Sequence, residues 1–495
     1  MGKNLKKHLK KAPENGLKRP KTGEKKPPLV YNGIDKQKNQ NTKEEALIMS
    51  SIPQISLFEF MKFEDLNELQ ELKLILENLP DEELMRKLED KRKNGRDDYP
   101  VRAMWNSVIA GVIYRHESIE KLIAELGRNG QLRYVCGFRK YEVVEDEFGN
   151  KVTRPKIPNS WNYSRFLANL MGEQELINEM FETSVSEIVK LLPGFGKSLA
   201  IDGKAINSYA NRPNKNEKVD GRRDLDADTG IKKYKGINDD GTKWEKVKSW
   251  FGYELHLIVD AEYELPVAFE VTKASASEVK EGKKLIEKVG KVHPEIMDRC
   301  EYFLGDRGYD DTETIEMLWD EYKIKPVIDM RNMWEDKNEV RMFENRNNIV
   351  GYDNFGCIYC YDPVMGEKHL MGFGGFEKER EALKYICPCK SYLIECKGCS
   401  KCPYYNKAIR IKLEEDRRRF TPVARSSYKW ERIYKLRTSI ERVNSRIDNV
   451  YGFERHFIRG IKKMKLRCSL ALIVMLVKEI AILRQWEKRQ RKRAV

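Results

Sequence analysis

The chain has no apolar run long enough to cross a bilayer. The longest, Cys468 to Val477, is interrupted by Lys478 and Glu479. A spanning helix needs roughly 20 apolar residues, so this run predicts a core helix instead. No apolar stretch follows the first basic residues. A secretory signal is therefore not expected, and the bacterial cytoplasm is the expected compartment. Acid is short relative to base: 78 Asp and Glu against 93 Lys and Arg give a net charge of +15 over 495 residues. That balance favours a polyanionic partner, nucleic acid ahead of a membrane surface, with simple solubility as the bland alternative. Partnered nucleophiles are missing as well. No Cys or Ser sits in a recognisable Ser–His or Cys–His setting, which argues against covalent catalysis.

Cysteine is sparse except in one place. Of ten cysteines, seven lie between Cys357 and Cys402, in the pattern Cys357-x2-Cys360, Cys387-x-Cys389 and Cys396-x2-Cys399-x2-Cys402, with His369 between. In a reducing compartment such spacing points to metal rather than to disulfides. Structural zinc on Cys357, Cys360, Cys396, Cys399 and Cys402 is the leading reading. Free buried thiols and a redox role are the alternatives. Seven thiols exceed one tetrahedral site.

What the chain does have is a late segment with two helical stripes. Ile433, Leu436, Ile440, Val443 and Ile447 repeat at the spacing of a core-facing helix. Tyr434, Arg437, Glu441, Asn444 and Asp448 repeat it one residue on. At 3.6 residues per turn the second stripe lies about 100° around the helix and borders the core. Upstream, two strand-like runs each end on an aspartate: Ser198-Leu-Ala-Ile-Asp202 and Glu301-Tyr-Phe-Leu-Gly-Asp306. A carboxylate at the end of a buried strand is costly unless something pairs with it. Asp202, Asp306 and Glu441 together would make a hard-oxygen site suited to Mg²⁺ or Mn²⁺. Two such ions suit phosphodiester chemistry. The bland alternative is a solvated polar face.

The order Asp202, Asp306, Glu441, with Tyr434-x2-Arg437-x3-Glu441 around the last acid, resembles the DDE transposases of bacterial insertion sequences, in the branch with a Tyr-Arg-Glu-Lys signature. The resemblance covers residues 95 to 480 and departs at one point: the signature Lys would fall at Asp448. It implies a ribonuclease-H-like α/β catalytic domain with a mixed sheet, an N-terminal helical DNA-binding module and a Cys-rich insertion. It also implies phosphate contacts from Tyr434 and Arg437. Arg446 and Lys462 are the candidates for the contact that the missing Lys would make, and Lys463 is a further candidate for binding DNA phosphate. The implied activity is Mg²⁺-dependent cutting of double-stranded DNA at the terminal repeats of the mobile element, followed by transfer of the 3′-OH ends to target DNA. Two ends held together imply a homodimer on DNA, at the nucleoid. A structure-specific nuclease and a non-catalytic DNA-binding descendant are the competing readings, the latter resting on Asp448.

Composition and pattern divide the chain further. Residues 1–45 read as a basic tail, 46–175 as the helical module, 195–330 and 421–484 as the two parts of the catalytic domain, 331–420 as the insertion, and 485–495 as a second basic tail. In the module, Ile55 to Leu88 is mostly helical by pattern. Val101 to Tyr114 and Ile119 to Leu126 are predicted helices, with Ser118 an N-cap and Gly127 a stop. A plain helical hairpin and a DNA-binding helix-turn-helix both fit. Trp161, Tyr163, Arg165 and Phe166 would touch DNA or pack. In the catalytic part, Asn207 to Lys248 reads as a long polar loop. Its Asp224-x-Asp226-x-Asp228 resembles half a calcium loop, but the twelfth position is Lys235. Strands are predicted over Trp250–Val259, Leu265–Val271 and Lys325–Ile328, and helices over Ser277–Val289, Thr312–Tyr322 and Leu466–Arg484. His256 is predicted to be a sheet-face residue rather than a ligand. Asp310 or Asp311 would cap the helix after Asp306.

Overall fold

The computed structural model describes residues 69–93, 98–212, 224–237, 242–331, 339–346 and 349–493. The basic tail at 1–45, the predicted helical stretch before residue 69 and part of the polar loop after Asn207 lie outside the described residues.

The described chain begins with short helices: α1 Gln70–Leu76, α2 Glu82–Arg92, α3 Val101–Ile113, α4 Ile119–Arg128 and α5 Gly130–Cys136. Asp81, fully buried, ties them together. It accepts from Arg102 Nη1 (2.8 and 2.7 Å) and from Trp105 Nε1 (2.6 Å). Ser118 caps α4 through Lys121 N, as its sequence position suggests. Gly127 does not stop that helix. Asn129 ends it and caps α5, because its side chain accepts from Leu132 N. A hairpin, β1 Tyr141–Glu145 and β2 Lys151–Pro155, leads to α6 Ser160–Met171 and α7 Gln174–Leu191. On α6, Tyr163 and Phe166 are buried while Trp161 and Arg165 face out. The period of 3.6 splits the two pairs onto opposite sides.

The sheet follows: β3 Ser198–Asn207, β4 Asp228–Ile237, β5 Lys243–Asp260, β6 Pro266–Lys273, β7 Tyr302–Gly305 and β8 Lys325–Ile328. Its order is β4-β5-β3-β7-β8, with β6 also on β5. β3 runs parallel to β7, and β7 to β8, while β5 is antiparallel to β3, β4 and β6. This mixed α/β arrangement fits a ribonuclease-H-like domain. Helices α8 Glu278–Val292 and α9 Pro294–Arg299 sit between β6 and β7. The region 207–248 is not simply a loop, since β4 and the start of β5 lie within it. β4 is an edge strand, and an edge strand tolerates the lysines that made this stretch read as coil. After β7, Asp311 caps α10 Thr312–Glu316, which passes into a π turn over Met317–Glu321. Asp310 instead is buried and binds Arg418 and the Arg331 N–H.

Two small sheets fill the interval to the final helices. β9 Val340–Met342, β10 Val350–Asp353, β11 Ile358–Tyr361 and β12 Lys368–Leu370 form one; β13 Gly372–Glu377, β14 Ala382–Ile386 and β15 Ala408–Lys412 form the other. A short helix α11, Pro388–Ser391, follows β14. A separate small core built on Trp319, Phe343, Tyr385 and Phe420 supports them.

The two-stripe segment is not one helix. It is α12 Tyr428–Tyr434, a 3-10 turn Lys435–Arg437 and α13 Thr438–Asn449. The last helix, α14, runs Ile461–Arg493, longer at both ends than predicted, so the basic segment after Arg484 continues it. Its apolar middle packs on α7, β6, α1 and α3. Polar contacts fix it on several sides: Gln174–Ser469 (3.0 Å), Lys465–Glu270 (2.5 Å) and Arg484 with Asn78 (2.9 Å) and Glu187 (2.8 Å). No described helix is long and apolar enough to cross a membrane.

Candidate active site

Side chains alternate across a strand, and β3 uses both faces. Asp202 and Lys204 face α13. Asn444 Nδ2 donates to Asp202 Oδ2 (3.2 Å), and Lys204 Nζ pairs with Asp448 Oδ2 (2.5 Å). Ile201 and Gly203 face α8 instead, against Gly282 and Glu278. Asp306 ends the parallel neighbour β7 and caps the following turn, accepting from Gly308 N at 2.7 Å. Asp202, midway along β3, and Asp306, just past the end of β7, are thereby carried side by side on adjacent parallel strands. Burial, and then the Asp306 charge, pushes Asp202 up to about 6. Burial is also the main reason Asp306 is raised, with Glu278 adding to it and the Gly308 N–H opposing.

Two further carboxylates converge here that the sequence reading did not single out. Glu254 on β5 and Glu278 at the start of α8 both bind Lys232 of β4, the first at 3.3 Å. Glycines make the room. A Cβ on Gly203 would lie 2.8 Å from carboxylate oxygens of Glu254 and Glu278; one on Gly308 would lie 2.8 Å from Asp306 and Glu278. Burial and Glu278 raise Glu254. Burial alone would lower Lys232, but Glu278 and Glu254 outweigh it and hold the ammonium above its usual range. Four carboxylates thus share one lysine. No periodicity could have flagged Glu254, Glu278 and Lys232, because each comes from a different element.

The second stripe does border the core: Tyr434, Arg437, Asn444 and Asp448 are half-buried. Glu441 is more exposed, at 54% for its side chain, and Arg437 Nη2 holds its Oε1 at 2.8 Å. The structure therefore brings Asp202 and Asp306 together, while Glu441 is held in an ion pair with Arg437. Tyr434 stacks on Trp430 with centroids 4.5 Å apart, and Arg437 lies over the Tyr434 ring. Arg446 is turned away from the aspartates, bonded to the Glu264 carbonyl and carboxylate (both 2.8 Å). Lys462 and Lys463 are exposed on the first turn of α14.

The Asp224-x-Asp226-x-Asp228 run is a structural bracket. Asp224 accepts from Ser208, Tyr253 and Gly460 N, and Asp226 accepts from Ile461 N at 3.1 Å, pinning the start of α14. Asp228 takes the Ser275 N–H at 2.8 Å. His256 is fully buried on the sheet and paired with Thr272 (2.9 Å).

The donor set around Asp202 and Asp306 fits a divalent cation. Burying several carboxylates beside one lysine leaves negative charge that a cation would neutralise. Asn444 Oδ1, buried beside Asp202, has no hydrogen-bond partner among the described residues.

In the stretch between β8 and α12, Cys360, Cys387, Cys389, Cys396, Cys399 and Cys402 line one cavity. Cys357 does not line it. It lies at the head of β11, with its N–H bonded to Asp353. Residues three apart along extended chain point to opposite faces, so Cys357 and Cys360 diverge where a turn would have made them converge. Cys387 and Cys389 stand there instead.

The family model described as Transposase DDE domain matches residues 199–477, more than half of the chain, and so includes Asp202, Asp306 and the whole of α12 and α13. The one described as Transposase domain (DUF772) matches residues 59–147, over the N-terminal helices. No curated protein matches the chain.

Proposed function

The chain belongs to the transposase DDE-domain family, and on that footing we propose that it cuts DNA at the ends of its own mobile element and transfers the freed 3′-OH ends to target DNA. The observation that carries this reading is the pair of half-buried aspartates on adjacent parallel strands, with the Tyr434–Asp448 stripe beside them. Asp202, Asp306 and Glu441 would hold Mg²⁺ or Mn²⁺, which supplies activation of the attacking oxygen and stabilisation of the leaving one.

The chain's own residues do the positioning. Asn444 fixes the Asp202 carboxylate. Glu278 adds negative charge beside Asp306 and Asp202, which favours a cation, and Lys232 offsets part of it. Arg437 is a bidentate-capable donor for a DNA phosphate once Glu441 turns from it toward the aspartates. Tyr434, braced by Trp430, sits next to that phosphate position. Lys462 and Lys463 suit backbone contacts further along the duplex. Arg446 serves α13 packing through Glu264 rather than DNA. The N-terminal helices, with Trp161 and Arg165 facing out on α6, would recognise the element ends, and a dimer would hold two ends together. The Cys-rich insertion binds structural zinc.

Labelled DNA carrying the element's terminal repeats, incubated with Mg²⁺, tests this against Asp202→Ala, Asp306→Ala and Glu441→Ala. Cutting at the ends that each substitution abolishes, with DNA binding retained, is the expected result. Cutting that ignores the repeats would make the protein a nuclease. Specific binding with no cutting by the unaltered chain would make it a non-catalytic descendant.

A further inference from the structure

We propose that Cys389, Cys396, Cys399 and His369 bind one structural zinc ion, with the imidazole Nε2 as its fourth ligand. This rests on the zinc reading of the Cys-rich stretch and deepens it by assigning the four ligands.

Local structure brings the three sulfurs together. Cys396 and Cys399 are the two ends of a turn in which Cys399 N donates to Cys396 O at 3.3 Å, and a 3-10 turn over Cys399–Lys401 follows. Such a turn lets a Cys-x2-Cys pair chelate one ion. Cys389 reaches them from α11. The three sulfurs lie within 4.8 Å of one another, and the Cys389–Cys399 pair is at 3.4 Å. Zn–S bonds of about 2.3 Å in a tetrahedron put sulfurs roughly 3.8 Å apart, so the trio already holds three corners. The cavity that they line has about 20 Å³ of room. A water needs roughly 10–15 Å³, so the space suits one ion.

The fourth corner is contested by His369, Cys360, Cys387 and Cys402, which line the same cavity. The need for a partner decides between them. His369 Nε2 is buried and has no hydrogen-bond partner among the described residues. Glu367 Oε2 stands 3.8 Å away, beyond hydrogen-bonding reach. A buried ring nitrogen without a partner is costly, and an N–Zn bond removes that cost. A buried thiol behaves as a small apolar group with a weak donor, so the three cysteines carry no comparable demand. Strand register directs the ring as well. His369 lies opposite Cys360 in the antiparallel β11–β12 pair, so both side chains leave the same face. Asp362 is already engaged. It accepts from Val364 N (2.7 Å), Met365 N (3.0 Å) and Gly398 N (3.0 Å). Cys396 Sγ also donates to it at 3.3 Å, a bond given up when the ion replaces the thiol proton.

Binding balances simply. Each of the three thiols gives its proton to solvent as its S–Zn bond forms, and the imidazole binds neutral with its proton on Nδ1. Zn²⁺ with three thiolates carries a net charge of −1. Lys390, Lys397 and Lys401 are interleaved with the ligands in sequence and offset it.

The physical reason for such an ion is what it joins. β12, which carries His369, is the edge strand of the first small sheet, and α11, which carries Cys389, follows β14 of the second. The two sheets share a core of few large side chains. Units this small commonly need a metal or a disulfide to hold their shape.

The test is X-ray absorption at the zinc edge, with elemental analysis, on the full chain purified under reducing conditions from zinc-supplemented cells. One zinc per chain with three sulfur neighbours and one nitrogen is expected. His369→Ala should lose the nitrogen. Outer-shell partners alone are worth about 10–100-fold in metal affinity, so this variant should bind zinc at least about tenfold more weakly in competition with a chromophoric chelator. Cys360→Ser, Cys387→Ser and Cys402→Ser should keep the ion and its affinity. Four sulfurs and no nitrogen in the unaltered chain, or unchanged affinity in His369→Ala, overturns the assignment of His369 and leaves the simpler zinc reading standing. Two ions per chain overturn the four-ligand site in the same way. No zinc overturns both. Asp202→Ala should keep its zinc, which separates this result from the fate of the transposase reading.

Discussion

Asp448 stands where the related signature has Lys, and its contact with Lys204 makes a quantitative test. The pair is at 2.5 Å, with side-chain exposures of 11% for Lys204 and 28% for Asp448. Exposed pairs contribute about 0–1 kcal/mol, and breaking a buried pair costs about 3–5 kcal/mol. This one lies between, so Asp448→Ala should cost about 2 kcal/mol. Asp448→Lys should cost more, because it sets two ammonium groups close together. At about 4 Å and an effective dielectric near 20 that repulsion approaches 4 kcal/mol, and side-chain movement will relieve part of it. A net loss of about 3–5 kcal/mol follows. The exchange Lys204→Asp with Asp448→Lys restores opposite charges and should recover at least about 2 kcal/mol of that loss, a coupling well above the additive expectation. Urea unfolding followed by tryptophan fluorescence measures these four proteins and Lys204→Asp alone, which closes the cycle. If Asp448→Lys is as stable as the unaltered chain, or the exchange recovers nothing, the ion pair does not hold α13 to β3 and the argument fails. DNA cleavage should follow the same order, since Asn444 on the same helix positions Asp202.

Three other outcomes follow from the structure. Lys232→Met leaves buried Glu254 and half-buried Glu278 without their cation and should cost about 2–4 kcal/mol in the same unfolding assay, between the exposed and buried limits; adding Glu254→Gln should return part of it, and an unchanged midpoint for Lys232→Met would remove the lysine from the site. Asp81→Ala strips Arg102 and Trp105 of their shared acceptor and should cost a similar amount, read as early loss of the N-terminal helices in hydrogen exchange; uniform exchange across the chain would count against it. His456 is held down at about 4, first by burial and then by Arg467, and its Nδ1 accepts from Ile458 N (3.2 Å). Because the folded value lies below the ordinary 6.5, its contribution is intact above pH 6.5 and is lost as pH falls toward 4, by up to about 1.4 kcal/mol per pH unit. His456→Gln should flatten the stability profile in that window relative to the unaltered chain, and parallel profiles would contradict the assignment.

Much of the framework was legible because it follows from spacing. The apolar stripe through Ile440, Val443 and Ile447 is buried, and the Cys468–Val477 run is the middle of a core helix. Ser118 and Asp311 cap the helices they precede. These are local effects, set by periodicity and by side chains that satisfy backbone donors a few residues away. The errors were also local in origin. β4 read as a loop because an edge strand can carry lysines, and the two-stripe segment read as one helix because a 3-10 turn over Lys435–Arg437 leaves the apolar spacing almost unchanged.

The sequence by itself pointed to the family, the two aspartates on neighbouring strands, the helix bearing Glu441 and a cysteine cluster with metal-like spacing, though β3 runs on past Asp202 to Asn207. Only the tertiary structure decided what meets what. It brought Glu254, Glu278 and Lys232 from three elements to the aspartates, turned Arg446 toward Glu264, paired Lys204 with Asp448, and made Asp224 and Asp226 the bracket of the last helix. It also removed Cys357 from the thiol cavity and admitted Cys387 and Cys389. The reason is the same in each case. Periodicity says which side of its own helix or strand a residue occupies, but not which other element that side faces. Charge and hydrogen-bond partners are set by that facing, so they appear only when the chain has packed.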